Sequence, residues 1–316
     1  MNQIEKISPV IITAGSNYLD IDAYACMVAM AELLQLQGIR AAAYSTAVHN
    51  YSICPSLVDD GQILRELPSE DWEENARYII VDVSDPEYLK ASVPLENVAA
   101  VYDHHVGFEE YWTSRIGDNA KIEFIGAAAT LIYREWKEAG LEHRMSRSVA
   151  RLLIAAILDN TLNLTSANTT AEDKAVFQAL RRHAGVDEQW CASYFSEVQA
   201  EVEADLHNAL MNDTKTVRNN PVLPPCVAQF CVWDADSILQ RLPEIRQWFR
   251  DSHDSWMINV IDLQHRCSIF VCDDAYYQEK IGSLFGVVFE NGAAKTPVSY
   301  LRKEIIKKTL TNNIGG

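Results

Sequence analysis

Asp103, His104 and His105 stand side by side directly after an apolar run, Val98-Ala99-Ala100-Val101, in the segment AAVYDHHVGF. A carboxylate and two imidazoles offer the oxygen and nitrogen donors that divalent ions of the Mg2+ to Mn2+ range accept. Other acids occupy comparable places. Asp20 and Asp22 are two residues apart, Asp82 follows Ile79-Ile80-Val81, and Asp159 follows the run from Ile154 to Leu158. Any one of them alone reads as a helix cap or a turn residue. Their recurrence at the ends of successive apolar runs suggests one metal site instead. Two ions bridged by a carboxylate would clamp an attacking hydroxide and a phosphoryl oxygen, so the chemistry implied is metal-assisted hydrolysis.

Such a site needs strand ends held side by side, as in open α/β sheets, where ligands bind at the C-terminal ends of the strands. The chain has the matching alternation. Val10–Thr13 reads as a strand and runs into a turn at Gly15-Ser16-Asn17. The next stretch has helical spacing of Ala23, Cys26, Met27, Met30, Leu33 and Leu34 on one face, stopped by Gly38. Residues 41–46 and 78–83 read as strands, residues 56–67 as a short helix or two fragments, and the run at Val98 as the next strand. Gly126 to Leu164 looks helical, and a Thr followed by Glu172 and Asp173 marks a further helix start. The expected fold is a parallel doubly wound α/β sheet with flanking helices, followed by a smaller mixed α/β domain, with the active site in the cleft between them. In the second half, 226–232 is the clearest strand, residues 237–253 read as a helix, and two strands meet at a turn at Gln264-His265. The expected boundaries are 1–188 for the catalytic domain, 189–212 for a linking helix and 213–316 for the second domain.

Composition narrows the function. With 44 acidic against 27 basic residues the formal charge is −17, which argues against a broad duplex nucleic-acid surface. No apolar stretch reaches the length of a membrane span. The seven cysteines form no C-x-x-C pair and mostly sit among apolar neighbours, which fits a reduced compartment. The N-terminus lacks a signal-peptide pattern, so the cytoplasm is the expected location.

At this point the motifs resemble a known family. Asp20-Ile21-Asp22, VDVSD at 81–85, DHH at 103–105 and Asp159 in AAILDNT resemble the four ordered motifs of the DHH phosphoesterase superfamily. GAAATLIY and TSANTTAED are similar to the branch containing family II inorganic pyrophosphatases and the exopolyphosphatase/prune group. The resemblance implies two divalent ions, Mn2+ or Mg2+. One would be held by Asp20 and Asp82, the other by Asp22, Asp82, His104 and Asp159. It makes Asp82 the bridge, His105 a phosphate contact and Asp103 the residue that orients the imidazoles. From the second domain it implies Lys215, Arg302 and Lys303 as cations on a small anionic substrate, polyphosphate or pyrophosphate. The Gly-Gly-Gly-His segment of the other DHH branch is absent.

Two residues depart from the pyrophosphatase pattern. Ser16 stands where that family has a metal-binding histidine, and Glu304 stands where its basic run continues. Losing an imidazole shifts a site toward all-oxygen ligation and Mg2+. The sequence therefore favours exopolyphosphatase-like hydrolysis, with manganese-dependent pyrophosphatase as the alternative and a degenerate-site binding or regulatory homologue as the non-enzymatic one. It does not fix an oligomeric state.

Overall fold

The computed structural model describes residues 8–15, 18–59 and 61–311. The chain divides into two compact units. The first runs to Leu164 and again from Asn168 to Cys191; the second comprises Thr165–Ala167 and Ala192 onward.

The first unit is built on five parallel strands: β1 (Val10–Thr13), β2 (Ala41–Ala43), β3 (Arg77–Val81), β4 (Val98–Asp103) and β5 (Ala120–Ile122). Their order in the sheet is β2-β1-β3-β4-β5. The chain moves from β1 outward to β2, then returns to the other side of β1 for β3. The C-terminal ends of β1 and β3 therefore flank the switch point, where open α/β sheets hold their ligands. Register places Val81 beside Tyr102, so Asp82 follows β3 level with the end of β4.

Helix α1 (Ile21–Leu36) follows β1 and is buried on nearly all sides from Ile21 to Leu33. The amphipathic face expected from its spacing is thus a minor part of its contact surface. A helix apolar all round belongs inside a core, and α1 packs there against helices α3 (Ala128–Glu138) and α4 (Arg147–Asn160). Helix α2 (Glu109–Ile116) lies between β4 and β5 in sequence and buries Trp112, whose indole Nε1 donates to the Ser84 carbonyl at 2.6 Å. Helix α5 (Ala171–Ala184) starts on a capping box of Thr170 and Asp173 and stops at Gly185 in the left-handed conformation, as its sequence signals imply.

The helical reading to Leu164 is too long. Helix α4 ends at Asn160, and Leu162, Asn163 and Leu164 all have φ near +50 to +63°. Apolar spacing continues through Leu162 and Leu164, but the Thr161 hydroxyl takes over local hydrogen bonding. It bonds back to the Ile157 carbonyl and accepts from the Leu164 N–H at 3.0 Å, a competition that ends helices. Among the described residues of 56–67 the structure has a short 3-10 turn, Pro55–Leu57, and a bridge between Tyr44 and Leu64, in place of a helix.

The second unit has a mixed sheet. The stretch expected as one linking helix is two, α6 (Glu188–Ala204) and α7 (Leu206–Asn212), the second capped by the Asp205 carboxylate. Strands β6 (Thr214–Thr216), β7 (Cys226–Val232), β8 (Trp256–Asp262), β9 (Cys267–Val271) and β10 (Ala293–Lys295) lie in the order β10-β9-β8-β7-β6. Only β7 and β8 run parallel, and a helical crossover including Leu242–Ser252 joins them. Helix α8 (Arg302–Thr311) ends the described chain. No helix among the described residues is long and apolar enough to cross a membrane, and no disulfide joins any of the seven cysteines among the described residues.

Candidate metal centre

Asp82 stands one residue past β3 with φ +58°, a left-handed conformation uncommon for a residue with a side chain. Such strain persists only where the surroundings over-determine it, and it concentrates at functional sites. From this position Asp82 Oδ1 lies 3.3 Å from His104 Nε2 and 3.9 Å from His105 Nδ1. Donor atoms of Asp82, His104 and His105 all fall within 4.8 Å of one another. Asp22 Oδ2 approaches the same His104 nitrogen at 3.9 Å.

The two histidines differ in setting. The His104 side chain is 1% exposed, and its Nδ1 lies 3.2 Å from the Ile125 carbonyl. A proton on Nδ1 satisfies that carbonyl and leaves the Nε2 lone pair facing the carboxylates, which is how a ligating imidazole is oriented. The His105 side chain is 55% exposed and its Nδ1 lies 2.9 Å from Asp103 Oδ1, which also accepts the His105 backbone N–H. Asp103 thus meets the His105 ring, while the Ile125 carbonyl faces His104 Nδ1. Burial works to raise the Asp103 carboxyl, but hydrogen bonds from the His105 ring and the His105 N–H hold it below the usual range.

Asp20 and Asp22 lie at the start of α1. Asp20 caps the helix, accepting the Ala23 N–H at 3.0 Å, so its ordinary reading as a cap is realised. Asp22 is fully buried and accepts the N–H groups of Ala128 and Ala129 at 2.8 Å each, at the N-terminus of α3. Burial, and then the nearby Asp20 charge, push the Asp22 carboxyl up to about 8 against the lowering effect of these donors. The Cys26 thiol, 3.5 Å from Asp22 Oδ1, is raised by burial and then by Asp22, Asp82 and Asp20. Three carboxylates thus concentrate charge around one spot. Divalent cations suit such a place: they balance the charge, and carboxylate oxygens plus one imidazole nitrogen are their donor set. Asp159 sits in the last turn of α4, half-buried, and is not in the tight donor group around Asp82. Ser16 lies outside the described residues.

In the second unit, Lys215 is exposed on edge strand β6 and Lys303 is exposed at the start of α8. Arg302, expected as a phosphate contact, is only 6% exposed. Its guanidinium is paired with Asp213, donating to both the side chain and the backbone carbonyl, and its backbone N–H donates to Gln229. That pairing ties β6 to α8. Glu304 turns back along its own helix to accept the Leu301 N–H at 2.7 Å. A second carboxylate–imidazole group, Asp234, Asp262 and His265, follows the ends of β7 and β8. Asp262 there is already engaged by the His265 ring and N–H and by the Ala235 N–H, which gives it a local structural role.

The acids and histidines are visible in the sequence, whereas the Ile125 carbonyl and the N–H groups of Ala128 and Ala129 that meet them are not. Backbone groups leave no residue-type signal; the small residues of GAAAT, which permit close approach, were the available cue.

No family model matches the chain. It is 26% identical over 303 residues to a Staphylococcus carnosus protein named as a manganese-dependent inorganic pyrophosphatase, covering 94% of this chain and 96% of that one. A Streptococcus mutans protein of the same name is 24% identical over 315 residues, covering 97% and 99%. Among solved structures, a Methanococcus jannaschii protein assigned to the family II inorganic pyrophosphatases superposes with a TM-score of 0.68 at 16% identity, over 97% of this chain and all of that one. An exopolyphosphatase-related protein from Bacteroides fragilis gives 0.52 at 12% identity, over 97% and 92%. The chain is thus similar along nearly its whole length to proteins named as manganese-dependent inorganic pyrophosphatases, and it shares the fold of the family II inorganic pyrophosphatase structure.

Proposed function

We propose that the chain is a metal-dependent phosphoanhydride hydrolase and that pyrophosphate is its leading substrate. The observation that carries the reading is the buried grouping of Asp22, Asp82 and His104 at the sheet's switch point. In this reading Asp20, Asp22, Asp82, His104 and Asp159 hold two divalent ions, Mn2+ or Mg2+, with Asp82 shared. Bound there, such ions supply Lewis acidity toward phosphoryl oxygens and favour ionisation of water near neutral pH. The protein's own part is orientation. Ile125 keeps the His104 Nε2 lone pair facing the carboxylates. Asp103 meets the exposed His105 ring, and that ring is proposed to donate to a phosphate oxygen. Lys215 and Lys303 are proposed to balance charge on the substrate oxygens. Arg302 is given a structural part, holding the segments that carry those two lysines.

The near-full-length similarity to proteins named as manganese-dependent pyrophosphatases favours pyrophosphate. Polyphosphate is the second reading, favoured by Ser16 in place of the histidine and by an arginine already committed to Asp213. Phosphate release from pyrophosphate, tripolyphosphate and long-chain polyphosphate, each with Mn2+ and with Mg2+, separates the two. Pyrophosphate is expected to be cleaved fastest; a preference for longer chains moves the assignment to exopolyphosphatase. Asp82→Asn should lower turnover by on the order of a hundredfold or more, and an unchanged rate would sink the two-ion reading. A chain that binds Mn2+ yet cleaves none of the three is a binding homologue.

A further inference from the structure

Two of the metal-centre side chains are held by one short turn. The Ile125 carbonyl meets His104 Nδ1, and the N–H groups of Ala128 and Ala129 meet Asp22. The turn is itself anchored from α5. Asp173 is fully buried, and its Oδ2 accepts the Gly126 N–H at 2.9 Å. The same oxygen accepts the Thr170 N–H and hydroxyl, both at 2.7 Å, while Oδ1 accepts the Thr130 hydroxyl at 2.6 Å. Capping of α5 accounts for the bonds to Thr170 only. Those to Gly126 and Thr130 reach across 47 and 43 residues to the turn and to α3. The approach leaves no room for a side chain at position 126: a Cβ there would lie 2.6 Å from Asp173 Oδ2 and 2.7 Å from Thr161 Cγ2.

We propose that Asp173 is a positioning residue for the metal centre. By clamping Gly126 and Thr130 it sets the turn that fixes the His104 ring and the Asp22 carboxylate. Charge-assisted hydrogen bonds to an ionised carboxylate are the stronger kind, and partners of this sort govern metal affinity through the ligands they orient. The inference rests on the metal-centre reading above, but one of its tests is independent of metal.

The experiment compares wild type, Asp173→Asn, Gly126→Ala, Thr130→Val and Thr170→Ala in the full chain. Mn2+ binding is titrated by electron paramagnetic resonance, the His104 ring nitrogens are read by 15N NMR without metal, and melting temperature is recorded alongside. Asp173→Asn and Gly126→Ala are expected to bind Mn2+ about 10–100-fold more weakly and to shift the His104 nitrogen signals. Thr170→Ala, which removes the cap hydroxyl and its bond to Asp173 Oδ2 but leaves the Gly126 and Thr130 bonds in place, should melt lower with Mn2+ affinity and His104 signals as in wild type. If Asp173→Asn does not fold, Thr130→Val carries the test, with weaker Mn2+ binding and shifted His104 signals expected. Wild-type Mn2+ affinity and unmoved His104 signals in folded Asp173→Asn, or in Thr130→Val when it stands in, would overturn the proposal. Failure of the wild type to bind Mn2+ would fell the metal-centre reading instead, and the His104 signals would then decide the positioning role by themselves.

Discussion

Asp22 is the residue where the centre's electrostatics are most exposed to test. In the metal-free protein its carboxyl is raised from an ordinary value of 3.8 to about 8, first by burial and then by Asp20. The folded state therefore holds a proton that the unfolded state has released at any pH between those values. Stability from this group is fully present below about 4 and is lost as pH rises toward 8. Thermal melting of metal-free protein across that range should fall more steeply for wild type than for Asp22→Asn, and parallel profiles would refute the assignment. Saturating Mn2+ should remove the difference, because a bound cation stabilises the ionised form. At this scale the sequence was most informative. Hard acids and histidines at the ends of apolar runs are visible as letters, and the structure brings Asp22, Asp82, His104 and His105 close together. A cation's letter does not show its partner, as with Arg302, which the structure pairs with Asp213.

Elements do their part through the loops they launch. The loop after β3 and the loop after β4 are stitched together, since the Ser84 hydroxyl donates to the His105 carbonyl and Trp112 donates to the Ser84 carbonyl. In the second unit the pairing of Arg302 with Asp213 does the same for β6 and α8. Asp213→Ala would leave a buried guanidinium short of an acceptor, at a cost of about 1–3 kcal/mol, readable by denaturant unfolding. A loss below about 0.5 kcal/mol would show that Arg302 is not bound to that role and is available for phosphate. The longer strands and the start and stop of α5 were legible because period and capping are local, whereas the three-residue strands β5, β6 and β10 were not anticipated. The end of α4 was not, because the spacing of Leu162 and Leu164 imitates a helix while the Thr161 hydroxyl redirects the backbone. Asp173 shows both sides: its place in a capping box was readable, its bond to Gly126 was not.

For the whole molecule, all five proposed metal ligands belong to the first unit, whereas Lys215 and Lys303 belong to the second. Hydrogen exchange with and without Mn2+ should therefore gain protection in β1, β3, β4, α1 and α3, with the β7–β8–β9 strands unchanged in the absence of substrate. A metal saturating its site at 100 times its dissociation constant adds about 2.7 kcal/mol, ample for detection; equal gains in both units would contradict the ligand set. The alternation of strands and helices announced the first sheet, but α6 runs unbroken through the division between units at Cys191 and Ala192, where no change of composition marks it. One feature of the first unit sets terms for anyone who would improve this protein by selection. At the left-handed turn of Asp82, glycine is the residue the backbone prefers, so Asp82→Gly should raise the melting temperature of the metal-free chain while deleting its shared carboxylate. Screening for heat resistance alone would reward that exchange and return variants that are sturdier and inert, so any such library needs activity in the same screen.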